Sequence, residues 1–166
     1  MTDNELLQLS LMIGERLKAL RATVTAAESC TGGWIAKVFT DISGSSAWFE
    51  RGFVTYSNEA KQEMIGVQSA TLDRFGAVSE QTVLEMAKGA CFAARADYAI
   101  AVSGIAGPDG GTAEKPVGTV WFGFAAPHGK SQAFQQHFTG DREAVRRQSV
   151  AWALRTLHDE FLINRA

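Results

Sequence analysis

The sequence predicts a three-layer α/β/α domain, an α/β fold on a mixed β-sheet, and three observations carry that expectation. Helical and strand-like segments alternate through the first half of the chain. Tyr98-Ala99-Ile100-Ala101-Val102 is a short, wholly apolar run, the pattern of a central strand covered on both faces. In the second half, two strand-like segments flank Pro127-His128-Gly129-Lys130, whose composition is that of a hairpin turn. Alternation implies parallel strands joined by helical crossovers, and the hairpin adds antiparallel pairing to the same sheet. With 166 residues, 46% of them hydrophobic, residues 1–166 read as a single domain with its own core.

Each element has a local reason. Leu6, Leu9, Ile13, Leu17 and Leu20 recur at helical spacing, so an amphipathic helix is expected from about Asp3 to Leu20. The β-branched run Thr23-Val24-Thr25 predicts the first strand, and Trp34 to Thr40 the helix after it. Aromatic and β-branched residues place a second strand around Gly52 to Tyr56. Asn58 is expected to cap a short helix, Glu59 to Ile65, that stops at Gly66; a further short helix starts at Ser69 and breaks at Gly76. Ser79 with Glu80 opens a strong helix through about Arg95, buried along Val83, Met86, Ala87, Ala90 and Ala94. Strands follow at Tyr98 to Val102, Gly118 to Ala125 and Gln132 to Phe138. Asp141 opens a terminal helix with an expected buried stripe of Val145, Gln148, Ala151, Trp152 and Leu157.

Composition excludes several classes. A net charge of −2 argues against a general nucleic-acid binder, although Arg142, Arg146 and Arg147 gather enough guanidinium groups to hold one phosphate. No apolar run approaches a membrane span, and the acidic, polar start Met1-Thr2-Asp3-Asn4-Glu5 lacks the basic region of a secretory signal. Cys30 and Cys91 give neither a disulfide framework nor metal-ligand spacing. A cytoplasmic protein that engages neither membrane nor nucleic acid, with no metal site, is the expectation.

Four loops beside buried strands carry polar or glycine residues that packing does not require: Glu28 to Gly33, Tyr56 to Lys61, Ser103 to Gly111 and Thr139 to Arg147. In Glu28-Ser29-Cys30-Thr31-Gly32-Gly33 a hydroxyl sits on a strand-to-helix turn, where the amides of the new helix can receive developing negative charge. The plain alternative is that Ser29 or Thr31 caps a helix. The loop from Ser103 holds Gly104, Gly107, Gly110 and Gly111, so its amides can approach a ligand closely, or it is a mobile turn. It matches neither a Walker loop nor a dinucleotide fingerprint. Lys61, on the first turn of a helix, is either a solvated residue or, if it faces an apolar pocket, a base with Tyr56 beside it. His128, His137 and His158 neighbour no candidate nucleophile, and Cys30 reads as a small buried residue. A serine nucleophile with a lysine base therefore remains open.

Ala27 to Gly33, Gly52 to Lys61, Gly76-Ala77-Val78-Ser79-Glu80, Ser103 to Gly111, Lys115 to Val120 and Gly140-Asp141-Arg142 resemble the C-terminal domain of the CinA family, in order, from about residue 5 to residue 160. The chain looks like the stand-alone form, without the N-terminal molybdopterin-binding-like domain of two-domain members. The resemblance implies hydrolysis of the carboxamide of nicotinamide mononucleotide to nicotinate mononucleotide and ammonia, in pyridine-nucleotide recycling. It implies no cofactor and a homo-oligomer, with a dimer favoured. Ser29 would be the nucleophile, Lys61 its base and Tyr56 a supporting hydroxyl. Amides around Thr31, Gly32 and Gly33 would receive the oxyanion, and Cys30 would be a further substrate-binding residue. Arg142 would hold the phosphate, with Arg146 or the loop of Ser103, Gly104, Ala106 and Gly107 assisting. One departure is mild: many relatives carry threonine where this chain has Ser103. The alternatives are a non-catalytic nucleotide- or protein-binding module, and an amidase for another small amide.

Overall fold

A computed structural model describes residues 1–163. Its elements are α1 (Asp3–Leu20), β1 (Val24–Glu28), α2 (Trp34–Thr40), β2 (Phe53–Val54), α3 (Asn58–Ile65), α4 (Ser69–Phe75), α5 (Glu80–Ala94), β3 (Tyr98–Gly104), β4 (Thr119–Ala126), β5 (Lys130–His137) and α6 (Arg142–Thr156). A short 3-10 turn, Ser45–Ala47, precedes β2, and wide π-type turns continue α6 over Leu157–Ile163. The sheet order is β2-β1-β3-β4-β5, with β1 parallel to both β2 and β3, and β4 antiparallel to β3 and β5. This is the predicted mixed α/β/α sandwich. No described helix is long and apolar enough to cross a membrane.

The two faces of the sheet are built from different side-chain sizes. Val24, Ile100, Val102, Val120, Phe122 and Phe124 point toward α1, α2 and α6 and form the larger core with Leu6, Ile13, Leu17, Ile35 and Leu154. Ala27, Ala99, Ala101 and Ala125 point the other way, into a second core with Val83, Met86, Ala87 and Ala90 of α5. Small residues on that face let α5 lie directly on the strands. At Gly123 any Cβ would fall into the Val83 carbonyl of α5, and at Gly89 any Cβ would fall into the Ile65 carbonyl that ends α3. Backbone contact, not side-chain filling, thus sets the position of α3 against α5.

Boundaries depart from expectation where hydrogen bonding overrides composition. Ser57, not Asn58, caps α3, its hydroxyl accepting from the Ala60 amide at 3.0 Å. The second strand is only Phe53–Val54, since it lies at the sheet edge and pairs over two positions with Ala27 and Glu28. The fifth strand starts at Lys130, not Gln132, because His128 and Gly129 both take positive φ (66° and 73°) and form a tight turn that lets pairing begin at once. In α6, Gln148, Ala151 and Trp152 are only partly buried, and the buried stripe is Val145, Ser149, Val150, Ala153, Leu154 and Thr156. Ser149 tolerates full burial because its hydroxyl donates to the Val145 carbonyl at 2.7 Å.

Candidate active site

The chain leaves β1 toward α2 on one face of the sheet and β2 toward α3 on the other. The carboxyl ends of β1, β2 and β3 therefore open onto a crevice, the position where open α/β sheets bind ligands. A cavity of about 280 Å³ lies there, lined by Ser29, Cys30, Tyr56, Asn58, Lys61, Ala77, Val78, Ser103, Gly104, Ala106 and Arg142.

Ser29 extends the ladder one step past β1, its amide donating to the Val102 carbonyl at 2.9 Å. The chain then turns sharply through Gly32 and Gly33, with φ of 60° and 103°. Neither hydroxyl of this segment caps α2. Its N-terminus carries no side-chain cap at Gly33; instead the buried Glu28 carboxylate accepts from the Ile35 amide at 2.8 Å, the Ala36 amide at 3.1 Å and the Thr31 hydroxyl at 2.7 Å. Burial raises the Glu28 pKa, and these donors oppose the rise. Ser29 is left free of structural duty.

Lys61, only 1% exposed, projects from the first turn of α3 toward Ser29, with Nζ 3.1 Å from Ser29 Oγ. It also donates to the Thr55 carbonyl at 2.9 Å and the Tyr56 carbonyl at 3.4 Å. No carboxylate faces the amine among the described residues, so burial drives its pKa below the ordinary 10.5. Cys30 is not a competing nucleophile: burial pushes its thiol up to about 12.

The remaining expected residues divide into two groups. Ser103, Gly104, Ala106 and Arg142 line the cavity with Ser29 and Lys61. Arg142 donates to the Gly107 carbonyl at 2.8 Å and to the Tyr56 hydroxyl at 3.1 Å, forming a rim across the opening. The phenol of Tyr56, a residue 60% exposed, hydrogen-bonds this guanidinium and neither Ser29 nor Lys61. Gly32, Gly33 and Arg146 lie outside, lining a separate hollow of about 490 Å³ with Trp34 and Arg147. Thr31 is fully buried and serves Glu28. Residues not named as site residues from sequence also line the cavity: Asn58 from α3, and Ala77 and Val78 ahead of α5. The Gly76 to Glu80 motif was the available signal for the last two.

A mixed α/β/α sheet with a serine and a buried lysine side by side at its parallel strand ends defines a domain equipped for acyl chemistry on a small ligand. The family model of the CinA C-terminal domain matches residues 6–161, and the chain belongs to that family. It is 67% identical, over 99% of both chains, to an Escherichia coli K12 protein named nicotinamide-nucleotide amidohydrolase PncC. Among solved structures it resembles the competence damage-inducible protein A of Klebsiella pneumoniae, with a TM-score of 0.92 and 39% identity over 97% of this chain and 99% of that one. The competence/damage inducible protein of Agrobacterium tumefaciens matches with a TM-score of 0.90 and 46% identity, over 95% of this chain and 94% of that one.

Proposed function

We propose that this protein is an amidohydrolase that converts nicotinamide mononucleotide to nicotinate mononucleotide and ammonia, recycling pyridine nucleotide by a Ser29–Lys61 mechanism. The observation that carries this reading is the 3.1 Å contact between Ser29 Oγ and a lysine amine that is buried without a counter-ion among the described residues. The named activity of the E. coli relative supplies the substrate.

In its neutral form Lys61 accepts the Ser29 proton as Oγ attacks the carboxamide carbon. The tetrahedral intermediate collapses by breaking the C–N bond, and Lys61 returns the proton to the departing ammonia. A water then attacks the acyl-enzyme ester, giving its proton to Lys61, which hands it back to Ser29 as the carboxylate product leaves. The N-ribosylated pyridinium ring is itself cationic, so bound substrate further favours the neutral amine. Ala77 and Val78 offer the ring an apolar wall, and Arg142 with the Ser103 to Gly107 loop offers the phosphate a cation and nearby amides. Tyr56 supports the reaction by holding Arg142 at the rim rather than by moving protons. Free thiols at Cys30 and Cys91 suit a reducing cytoplasm. Phe92, 88% exposed on α5, is a side chain an oligomer would cover.

The test is ammonia release from nicotinamide mononucleotide by the wild type beside Ser29→Ala. Turnover confined to the wild type is expected. Equal turnover in both removes Ser29 from the mechanism, and none in either, with both folded, removes the hydrolase.

A further inference from the structure

The hydrogen bonds of the nucleophile turn leave the Thr31 amide without a partner, and one arginine outside the cavity governs it. The Gly32 amide donates to the Ser29 carbonyl at 3.0 Å and the Trp34 amide to the Thr31 carbonyl at 3.1 Å. The Glu28 carboxylate takes the amides of Gly33, Ile35 and Ala36. The Cys30 amide is turned to its own thiol, and among the described residues the Thr31 amide donates to no acceptor. A buried N–H without an acceptor is rare, and this one lies two residues after the buried Ser29 hydroxyl.

Arg146 sits one helical turn after Arg142 on α6, yet its guanidinium turns to the back of this segment. Nε donates to the Cys30 carbonyl at 3.0 Å and Nη2 to the Thr31 carbonyl at 3.1 Å, with the guanidinium carbon 5.6 Å from the centre of the Trp34 ring. In a trans peptide the N–H points opposite to the C=O. Holding the Cys30 carbonyl from behind therefore turns the Thr31 N–H away from Arg146. A cationic donor on a carbonyl also polarises that peptide and strengthens its N–H as a donor. Gly32 fits the same arrangement, since a Cβ there would lie 3.3 Å from Arg146 Nη2.

We propose that Arg146 is a positioning residue: by gripping the Cys30 and Thr31 carbonyls it orients and polarises the Cys30–Thr31 peptide, so that the Thr31 amide receives the oxyanion formed on attack by Ser29. The proposal rests on the Ser29 reading above and takes Arg146 out of phosphate binding. It contacts no substrate atom; it acts through the turn.

The experiment compares wild type, Arg146→Lys and Arg146→Gln on nicotinamide mononucleotide and on nicotinamide riboside, which has the same carboxamide and no phosphate. Phosphonylation of Ser29 by a small fluorophosphonate, followed by intact mass, is read in parallel. Losing an oxyanion donor outright costs roughly 10²–10³-fold in kcat, so weakening one should cost about 10- to 100-fold. The expected result is that fall in kcat for Arg146→Gln, equal on both substrates, with KM unchanged and phosphonylation slowed in parallel. Arg146→Lys should recover part of it, since a single ammonium can hold one carbonyl. A rise in KM confined to the mononucleotide would make Arg146 a phosphate ligand and overturn the proposal. Unchanged kcat and phosphonylation in both variants, with the wild type active, would overturn it while leaving the hydrolase intact. A wild type that neither releases ammonia nor is phosphonylated would remove the Ser29 reading, and this proposal with it. Should Arg146→Gln fail to fold, Arg146→Lys decides by the same split of kcat against KM.

Discussion

β1 and β3 are buried along almost their whole length, and at and just past their carboxyl ends the polar Glu28, Ser29, Lys61 and Ser103 are buried too. β5, at the far edge of the same sheet, alternates between exposed and half-buried positions, and β4 carries the aromatic packing of that side. In the parallel half, helices cover both faces, so the apolar work is complete before the strands end and polar groups beyond them remain inside protein. That is the condition under which the pKa of an amine falls and a hydroxyl gains a partner. In the hairpin half, Phe124 stacks on Phe161 at 4.9 Å and meets Phe134 at 5.9 Å, while Phe122 packs on Trp152 at 4.5 Å. One half is arranged to perturb side chains, the other to hold the sheet together.

Three substitutions would break or sharpen this division. The largest effect is expected for Lys61→Met, which should lower kcat by roughly 10²–10⁴-fold without lowering Tm, because it removes a buried amine that has no counter-ion. In the wild type, kcat/KM should rise with pH and level off below 10.5, the ordinary lysine value, as Lys61 deprotonates. Stability carries the matching sign: between the lowered folded pKa and 10.5 the unfolded chain binds more protons, so stability rises with pH across that window. A pH–rate profile flat through that range, or a large fall in Tm for Lys61→Met, would dissolve the distinction. Next, Phe124→Ala should cost about 3–5 kcal/mol in chemical denaturation while kcat per folded molecule stays unchanged. A selective loss of kcat would show the hairpin participating in the chemistry. The smallest effect is expected for Arg142→Ala. It should raise KM for nicotinamide mononucleotide about 10- to 100-fold, and raise it far less for the riboside, as loss of a charged hydrogen bond worth about 1.5–3 kcal/mol implies. An equal rise on both substrates would move the phosphate elsewhere.

Legibility followed the same line. Helix starts at Asp3 and Glu80 and the central strand Tyr98 to Val102 could be read from caps and hydrophobic runs, because local signals and tertiary packing agree there. The stripe on α6 was misread because Ser149 satisfies its own hydroxyl within the helix and can be buried like an apolar residue. Lys61 was left open between surface and pocket. Its spacing to the buried Ile65, one turn on, pointed inward, but only the approach of β1 decides whether that face meets water. Cys30, Thr31, Gly32 and Gly33 could be read as a special turn but not sorted. Which amides are taken depends on Glu28, and which carbonyls are held depends on Arg146, more than a hundred positions away in the chain. The capping role of Glu28 was equally hidden, since capping is looked for next to a helix start and not at the preceding strand's last residue.

Gly89 shows how far the demands of such a site extend. It does not line the cavity, yet its missing side chain is what admits the Ile65 carbonyl and seats the helix bearing Lys61. In a saturation screen for ammonia release, position 89 would score alongside Ser29 and Lys61, and a designer reading that map would be looking at the mounting of the lysine rather than at the lysine itself. Grafting the serine and lysine onto another α/β sheet would accordingly mean transplanting a bare stretch of helix along with them.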